Sequence, residues 1–269
     1  MKRADILRIS TWNVDHARSV SRDPDRARLI DSADADVIIL TETCDRVRPS
    51  DPSYEPVHSS PRPHCPDDER RVSIWTKIPV IERLSTEDPL RTVAVRLAAA
   101  GGALLVFGTV LPWHADIGDA RDEPAPPRWQ EHRRVVAAQT QEWVELRARY
   151  PEDRLVIAGD WNTDLPAGSG LTRYSYGLTA EVNTLLETAA RLSLEVPTRH
   201  IEDPGRQRPW LIDHIAGPPG AQSVATVEAI SDAGTALSDH PLVLERIGEP
   251  KNPTSSRPRE WRRMLSVHP

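Results

Sequence analysis

Cysteine is scarce in this chain: Cys44 and Cys65 are the only two in 269 residues. No zinc-ligand spacing links them, and one possible disulfide argues little for an oxidising compartment. Long apolar runs are missing as well, with nothing near the roughly 18 consecutive apolar residues of a membrane span. Met1-Lys2-Arg3-Ala4-Asp5 carries positive charge, but no uninterrupted apolar region or small-residue cleavage site follows it. A secretory leader is therefore not expected, and the expected setting is cytoplasmic. Nor is there an excess of basic charge. A net charge of −6 and a pI near 5.9 argue against nonspecific coating of nucleic acid. They leave room for an enzyme that meets phosphates through a local basic rim and a cation. No internal repeat is present. What remains is a globular composition, 38% hydrophobic and 28% charged, long enough to bury one large α/β core.

Residues 6–12 and 36–41 read as short strands with a helix over 24–33 between them. Asp23 stands where an N-cap is expected, and Arg26, Arg28, Asp31 and Asp34 are placed on the wet face. Residues 49–68, rich in Pro, Ser and Asp, predict a long irregular surface loop. Strands are predicted at 72–76, 92–97 and 103–110, with Gly101-Gly102 as a hairpin turn. After a proline-rich break at 122–127, an amphipathic helix is predicted over 128–149. Val135, Val136, Gln139, Trp143 and Leu146 form its apolar face; Arg133, Arg134, Gln141, Glu142 and Glu145 mark its polar one. A strand at 154–158, a helix at 180–192 and strands at 211–216, 223–230 and 242–246 complete the expected core. The domain is expected to span 1–248, and the Pro/Arg-rich segment 249–269 reads as a flexible tail.

Several polar groups stand at the mouths of apolar runs. Gly159-Asp160-Trp161-Asn162 follows Leu155-Val156-Ile157-Ala158, and Ser238-Asp239-His240 precedes Pro241-Leu242-Val243-Leu244. Glu42 follows Val37-Ile38-Ile39-Leu40, Asp213 follows Trp210-Leu211-Ile212, and Asn13 closes the first run. Acidic and imidazole groups at such positions are costly to desolvate unless a metal, a partner or a substrate uses them. Singly, each has an ordinary reading as a cap, a turn former or a structural histidine. Strand ends converging on one rim would gather them into an acidic site suited to metal-dependent chemistry on an anionic substrate.

Taken in order, Thr11-Trp12-Asn13-Val14, Leu40-Thr41-Glu42, Gly159-Asp160-Trp161-Asn162-Thr163, Ile212-Asp213-His214-Ile215 and Ser238-Asp239-His240-Pro241 resemble the endonuclease/exonuclease/phosphatase superfamily of metal-dependent phosphoesterases. The resemblance spans residues 6 to 247. It implies a DNase I-like fold: a two-sheet α/β sandwich flanked by helices, four layers in all, with the site on one rim. It implies that Glu42, Asn13 and Asp239 hold Mg²⁺ or Mn²⁺, hard cations that favour oxygen ligands. Asp160 would orient or deprotonate the attacking water, and Asn162 would donate to a phosphoryl oxygen. His240 would contact the phosphate or the water, held by its ring to Asp213.

Two departures stand out. Many relatives carry a histidine in a Thr-His-Leu stretch before the central helix, and Val110 occupies that place in Thr109-Val110-Leu111. Valine cannot donate a proton, so either His114 swings in or a metal-bound water serves. Thr41 stands where many relatives have glutamine. Arg91, just before a strand, is placed to reach a phosphate.

The expected activity is hydrolysis of a phosphodiester, or of a phosphomonoester, by in-line attack of water. Nucleic acid leads narrowly as substrate, ahead of a small nucleotide, an inositol phosphate or a phospholipid head group. A rival of another class is a non-catalytic phosphate-binding module on the same fold.

Overall fold

The apolar runs fold as strands, and the computed structural model describes residues 6–62, 65–66, 68–116, 127–165, 176–201 and 211–248. The expected tail at 249–269 lies outside the described residues, as does Trp210. The chain opens with β1 (Ile6–Asn13), α1 (Asp23–Ser32) and β2 (Val37–Cys44). Next come β3 (Glu55–His58), β4 (Glu69–Thr76), β5 (Val80–Leu84), β6 (Thr92–Ala99) and β7 (Gly102–Val110). It closes with α2 (Gln130–Arg149), β8 (Arg154–Asp160), α3 (Thr179–Arg191), β9 (Asp213–Ala216), β10 (Ala221–Val227) and β11 (Leu242–Gly248). One sheet has the order β10-β11-β1-β2-β4-β3 and the other β5-β6-β7-β8-β9.

Each sheet is mixed, and each contains one parallel pair with a helix between its strands: β1 with β2 across α1, and β7 with β8 across α2. Alternate side chains sort the core into layers. Val37 and Ile39 of β2 pack between the sheets with Ile9, Ile74, Val95, Val106 and Val156. Ile38 and Leu40 turn the other way, onto Ile30 of α1 and Trp12. Leu105 and Phe107 of β7 face Val135 and Trp143 of α2 and Leu185 of α3. Because both faces of the central strands are covered, their sequences read as unbroken apolar runs. The result is four layers: helix, sheet, sheet, helix. This is the fold that the family resemblance implied.

The parallel strands matter most for function. Asn13, Glu42, Val110 and Asp160 stand at or next to the carboxyl ends of β1, β2, β7 and β8, the side on which open α/β sheets bind ligands. No helix among the described residues is long and apolar enough to cross a membrane.

Some local expectations need correction. Asp23 does not cap α1; it lies within the first turn, where its Oδ1 accepts from Arg26 at 2.8 Å. Arg26 is not on the wet face but buried, donating also to the carbonyls of Ser19 and Leu237. Asp34 falls beyond the helix, where it meets Arg8. Glu142 is buried rather than exposed and accepts the backbone N–H of Glu87. The stretch expected to be an irregular loop contains β3, an edge strand against β4 that tolerates Pro56 because an edge leaves N–H positions unpaired. β5 was not expected; it is an edge of the second sheet, and its alternating pattern is half exposed. Gly101 and Gly102, at φ 77° and 129°, make the tight turn between β6 and β7 as expected. Cys44 is buried and Cys65 half-buried, and both are free thiols.

Candidate active site

Asp160 ends β8 beside Val110 at the end of β7, with its side chain 1% exposed. Three donors converge on its carboxylate. Asn13 Nδ2 gives 2.8 Å to Oδ2, the Asn162 backbone N–H gives 2.8 Å to Oδ1, and Asn162 Nδ2 adds 3.1 Å to Oδ2. Asn13 comes from the first sheet and Asp160 from the second, so this bond closes the rim between them. Asn162 takes a left-handed φ of 46° to turn its backbone amide onto Asp160, and its Nδ2 also donates to Leu111 O at 2.9 Å. Both hydrogens of that amide are thus spent inside the protein. Its role in this geometry is to hold Asp160. Burial, then the charge of Asp213, push the Asp160 carboxyl up to about 8.

Asp213 opens β9, directly across from Asp160, and is buried. Its Oδ2 lies 2.5 Å from His240 Nδ1, while its buried Oδ1 has no hydrogen-bond partner. Burial alone would lower the His240 pKa. The charge of Asp213 and the hydrogen bond to it outweigh that, with Asp160 and Asp239 adding, so the imidazole is pushed up to about 10. The backbone around His240 is fixed from β1: Ser238 Oγ donates to Asn13 O at 2.6 Å and accepts from His240 N, while Trp12 Nε1 donates to His240 O. Ligand atoms of Asp160, Asp213 and His240 all fall within 4.8 Å of one another.

Glu42 sits in β2 with a left-handed φ of 47°. Thr41 pairs with Val72 and Thr43 with Arg70, which sets Arg71 across from Glu42. Glu42 interacts electrostatically with Asp160 and His240, and its carboxyl is held below the usual range. Burial works the other way, but the bond from His16 Nε2, at 3.0 Å, prevails. Asp239 is half exposed at 52%, with Oδ1 3.8 Å from His240 Nε2.

The structure therefore brings Asn13, Glu42, Asp160, Asn162, Asp213, Asp239 and His240 to one rim. Arg91 and His114 are placed differently. Arg91 is buried and engaged with Asp88, Asp116 and Glu131 at 3.1, 3.6 and 3.5 Å. His114 lies in an aromatic cluster with Trp113, Trp129 and Tyr176, its Nδ1 2.8 Å from the Tyr176 hydroxyl. Val110 is packed in the intersheet core and offers the rim nothing polar. His132 and His214 are structural. Their rings brace the exit of β8 through Thr163 Oγ1 and Thr163 O, and burial drops the His214 pKa to about 4.

Sequence reasoning missed His16, Glu69 and Arg62. Nδ1 of His16 lies 3.0 Å from Glu69, 53 residues away, and Arg62 binds the same carboxylate. Only the nearness of His16 to Asn13 in the sequence hinted at it.

The donor set suits a hard divalent cation. Glu42, Asn13 and Asp239 offer oxygen ligands, Asp213 has an orphaned buried oxygen, and two buried carboxylates stand together with one imidazole to offset them.

Residues 10–240 match the profile of the Endonuclease/Exonuclease/phosphatase family. No curated protein matches the chain in sequence. Among solved structures, the 3'-5' exonuclease NExo from Neisseria meningitidis is 17% identical, with 90% of this chain and 100% of that one covered and a TM-score of 0.62. An AP endonuclease from Archaeoglobus fulgidus is 15% identical, covering 89% of this chain and 98% of its own at a TM-score of 0.61. Truncated Caenorhabditis elegans TDP2 is 14% identical, covering 90% and 98%, at 0.58. At these identities the likeness shows the fold.

Proposed function

Because the chain belongs to the endonuclease/exonuclease/phosphatase family, hydrolases of phosphoester bonds, we propose that it is a divalent-metal-dependent phosphodiesterase using in-line attack by water. The observation that carries this reading is the meeting of Asp160, Asp213 and His240 within 4.8 Å, beside Glu42. A phosphodiester repels hydroxide, so the site must neutralise charge, orient a water and stabilise a departing oxygen.

Asp160 is the group that takes the proton from the attacking water. Asn13 and Asn162 leave it one orientation, and its raised pKa makes it a competent base once ionised. His240, kept cationic by Asp213, faces the phosphoryl oxygens and offsets their charge. As the water oxygen bonds to phosphorus, the ester P–O bond breaks on the opposite side and the released oxygen requires a proton or a counter-charge. Val110 supplies neither. Glu42, Asn13 and Asp239 are the residues that would hold Mg²⁺ or Mn²⁺, which when bound supplies Lewis-acid stabilisation of the phosphoryl and departing oxygens. Arg71, across from Glu42 and tied only loosely to Asp116 at 3.7 Å, is the guanidinium best placed to take a substrate phosphate. Arg91, only 4% exposed and set among Asp88, Asp116 and Glu131, is too buried for that task.

Nucleic acid is the substrate class we favour. A groove of about 380 Å³ runs from Asp239 past Asp15 to the exposed Arg18 and Arg22, so positive charge continues beyond the reacting centre. A phosphate one or more nucleotides from the cleaved bond would meet it. NExo and the Archaeoglobus enzyme are named for acting on nucleic acid, and a NExo variant is described bound to product DNA hairpin. A small phosphomonoester would leave this groove unused. Hydrolysis of plasmid DNA, bis-p-nitrophenyl phosphate and a phospholipid panel, each with Mg²⁺, Mn²⁺ or EDTA, tests the reading. Turnover of the phospholipids alone would move the substrate class, and metal binding without turnover of any of them would favour a binding module.

A further inference from the structure

The loop that leaves β1 bends sharply directly after Asn13. Asp15, His16 and Ala17 are all left-handed, at φ 49°, 56° and 46°, and none is glycine. Such backbone persists only where its surroundings over-determine it, and it gathers at functional sites. Here the surroundings are visible. Val14 and Ala17 are fully buried against the α1 side of the first sheet. Val14 N donates to Thr41 O, Ala17 N to Val14 O, and Asp15 N to Asn13 Oδ1. With its two neighbours anchored, His16 is delivered onto Glu42.

Both ring nitrogens of His16 face carboxylates. Nε2 lies 3.0 Å from Glu42 Oε2, and Nδ1 lies 3.0 Å from Glu69 Oε1. Arg62 Nη1 meets the same Glu69 oxygen and also lies 3.2 Å from His16 Nδ1. The ring is three-quarters covered and Glu69 more so, at 25% and 15% exposed. Arg62, Glu69 and His16 thus form a polar cluster on one side of the ring, and the ring's other nitrogen ends on one oxygen of Glu42. That oxygen is fixed by the ring, and the pairing leaves Oε1 outside it. A ligand carboxylate oriented by a hydrogen-bonded partner keeps its affinity because less freedom is lost on binding.

We propose that His16, braced by Glu69 and Arg62, is a positioning residue that fixes Glu42 for divalent-cation binding. This rests on Glu42 being a metal ligand, as the proposed function has it. His16 does not enter the reaction.

The test is Mn²⁺ titration of the full chain by calorimetry, without substrate, for wild type, Glu42→Ala, His16→Ala, His16→Gln and Glu69→Gln. His16→Ala is expected to bind Mn²⁺ about 10–100-fold more weakly. His16→Gln, whose amide N–H can still reach Glu42, is expected to recover most of that loss. Glu69→Gln, which keeps an acceptor for the ring but loses its charge, is expected to lie between wild type and His16→Ala. Circular dichroism in EDTA shows whether each variant is folded, and the two glutamine variants carry the test if the alanine variant is not. Affinity in His16→Ala within twofold of wild type, or tighter, overturns the proposal, the latter by showing that the ring competes with the cation. Equal losses in His16→Ala and His16→Gln overturn it as well. If wild type binds no Mn²⁺, or Glu42→Ala binds it unchanged, the reading of Glu42 as a ligand fails, an outcome distinct from any result at His16.

Discussion

His240 Nδ1 and Asp213 Oδ2 meet at 2.5 Å across the junction of the two sheets. Asp213 begins β9 in one sheet and His240 lies just before β11 in the other. Their contact is therefore tertiary, and it keeps the imidazole charged to about 10. Asp213→Asn should remove that support without removing the side chain's bulk. The expected result is a kcat/KM lower by about 10²–10⁴ and a His240 titration, followed by NMR, moved down toward the ordinary range near 6.5. A His240 titration that does not move would mean that Asp213 is not what charges it.

Gly159 sets the position of Asp160. Its φ is 141°, and a Cβ there would lie 1.9 Å from Thr109 O, on the neighbouring strand. Backbone cannot yield as a flexible side chain can. Gly159→Ala should cost at least about 2–3 kcal/mol by thermal or denaturant unfolding. An unchanged midpoint would contradict the close approach of β7 and β8 at the rim.

Glu245 is fully buried in β11 on the same face as Val243 and Ile247, and neither carboxyl oxygen has a hydrogen-bond partner. Burial, with the charge of Glu195 adding, pushes its pKa up to about 8. The unfolded chain releases that proton near ~4.3. Between those two values the folded state holds the extra proton, so this group makes stability fall as pH rises. Glu245→Gln should melt like wild type at about pH 4.5 and several degrees higher at about pH 8. Equal melting temperatures at the higher pH would contradict a buried, protonated carboxyl.

On the proposed reading Arg71 holds a substrate phosphate from across Glu42. Arg71→Ala should raise KM about 10–100-fold, the worth of a charge-assisted hydrogen bond, with a smaller change in kcat. Arg71→Lys should recover only part of this because it cannot bind two oxygens as a fork. Arg91→Lys should do little to KM, and a larger effect there than at Arg71 would reverse the assignment.

The strand ends were legible because burial on both faces writes an apolar run and a polar residue then interrupts it. Glu42, Asp160 and His240 announce themselves in that way. The edges were less legible. β5 carries Glu82 and Arg83 between apolar residues, and β3 includes a proline, so neither reads as a core strand. Arg26 and Glu142 look like surface charges on helices because one-dimensional spacing does not show a carbonyl waiting beneath Arg26 or a backbone amide reaching Glu142. The contacts of His16 were invisible for a related reason: its partner Glu69 is brought to it by the pairing of β4 with β2, not by any local motif.

The most direct measurement is the initial rate of bis-p-nitrophenyl phosphate hydrolysis by wild type and Asp160→Asn, each in Mn²⁺ and in EDTA. The predicted result is turnover by wild type in Mn²⁺ only, and a rate lower by about 10²–10⁴ or more in Asp160→Asn while its fold is retained. Equal rates with and without metal, or a fully active Asp160→Asn, would contradict a metal-dependent hydrolase built around that carboxylate.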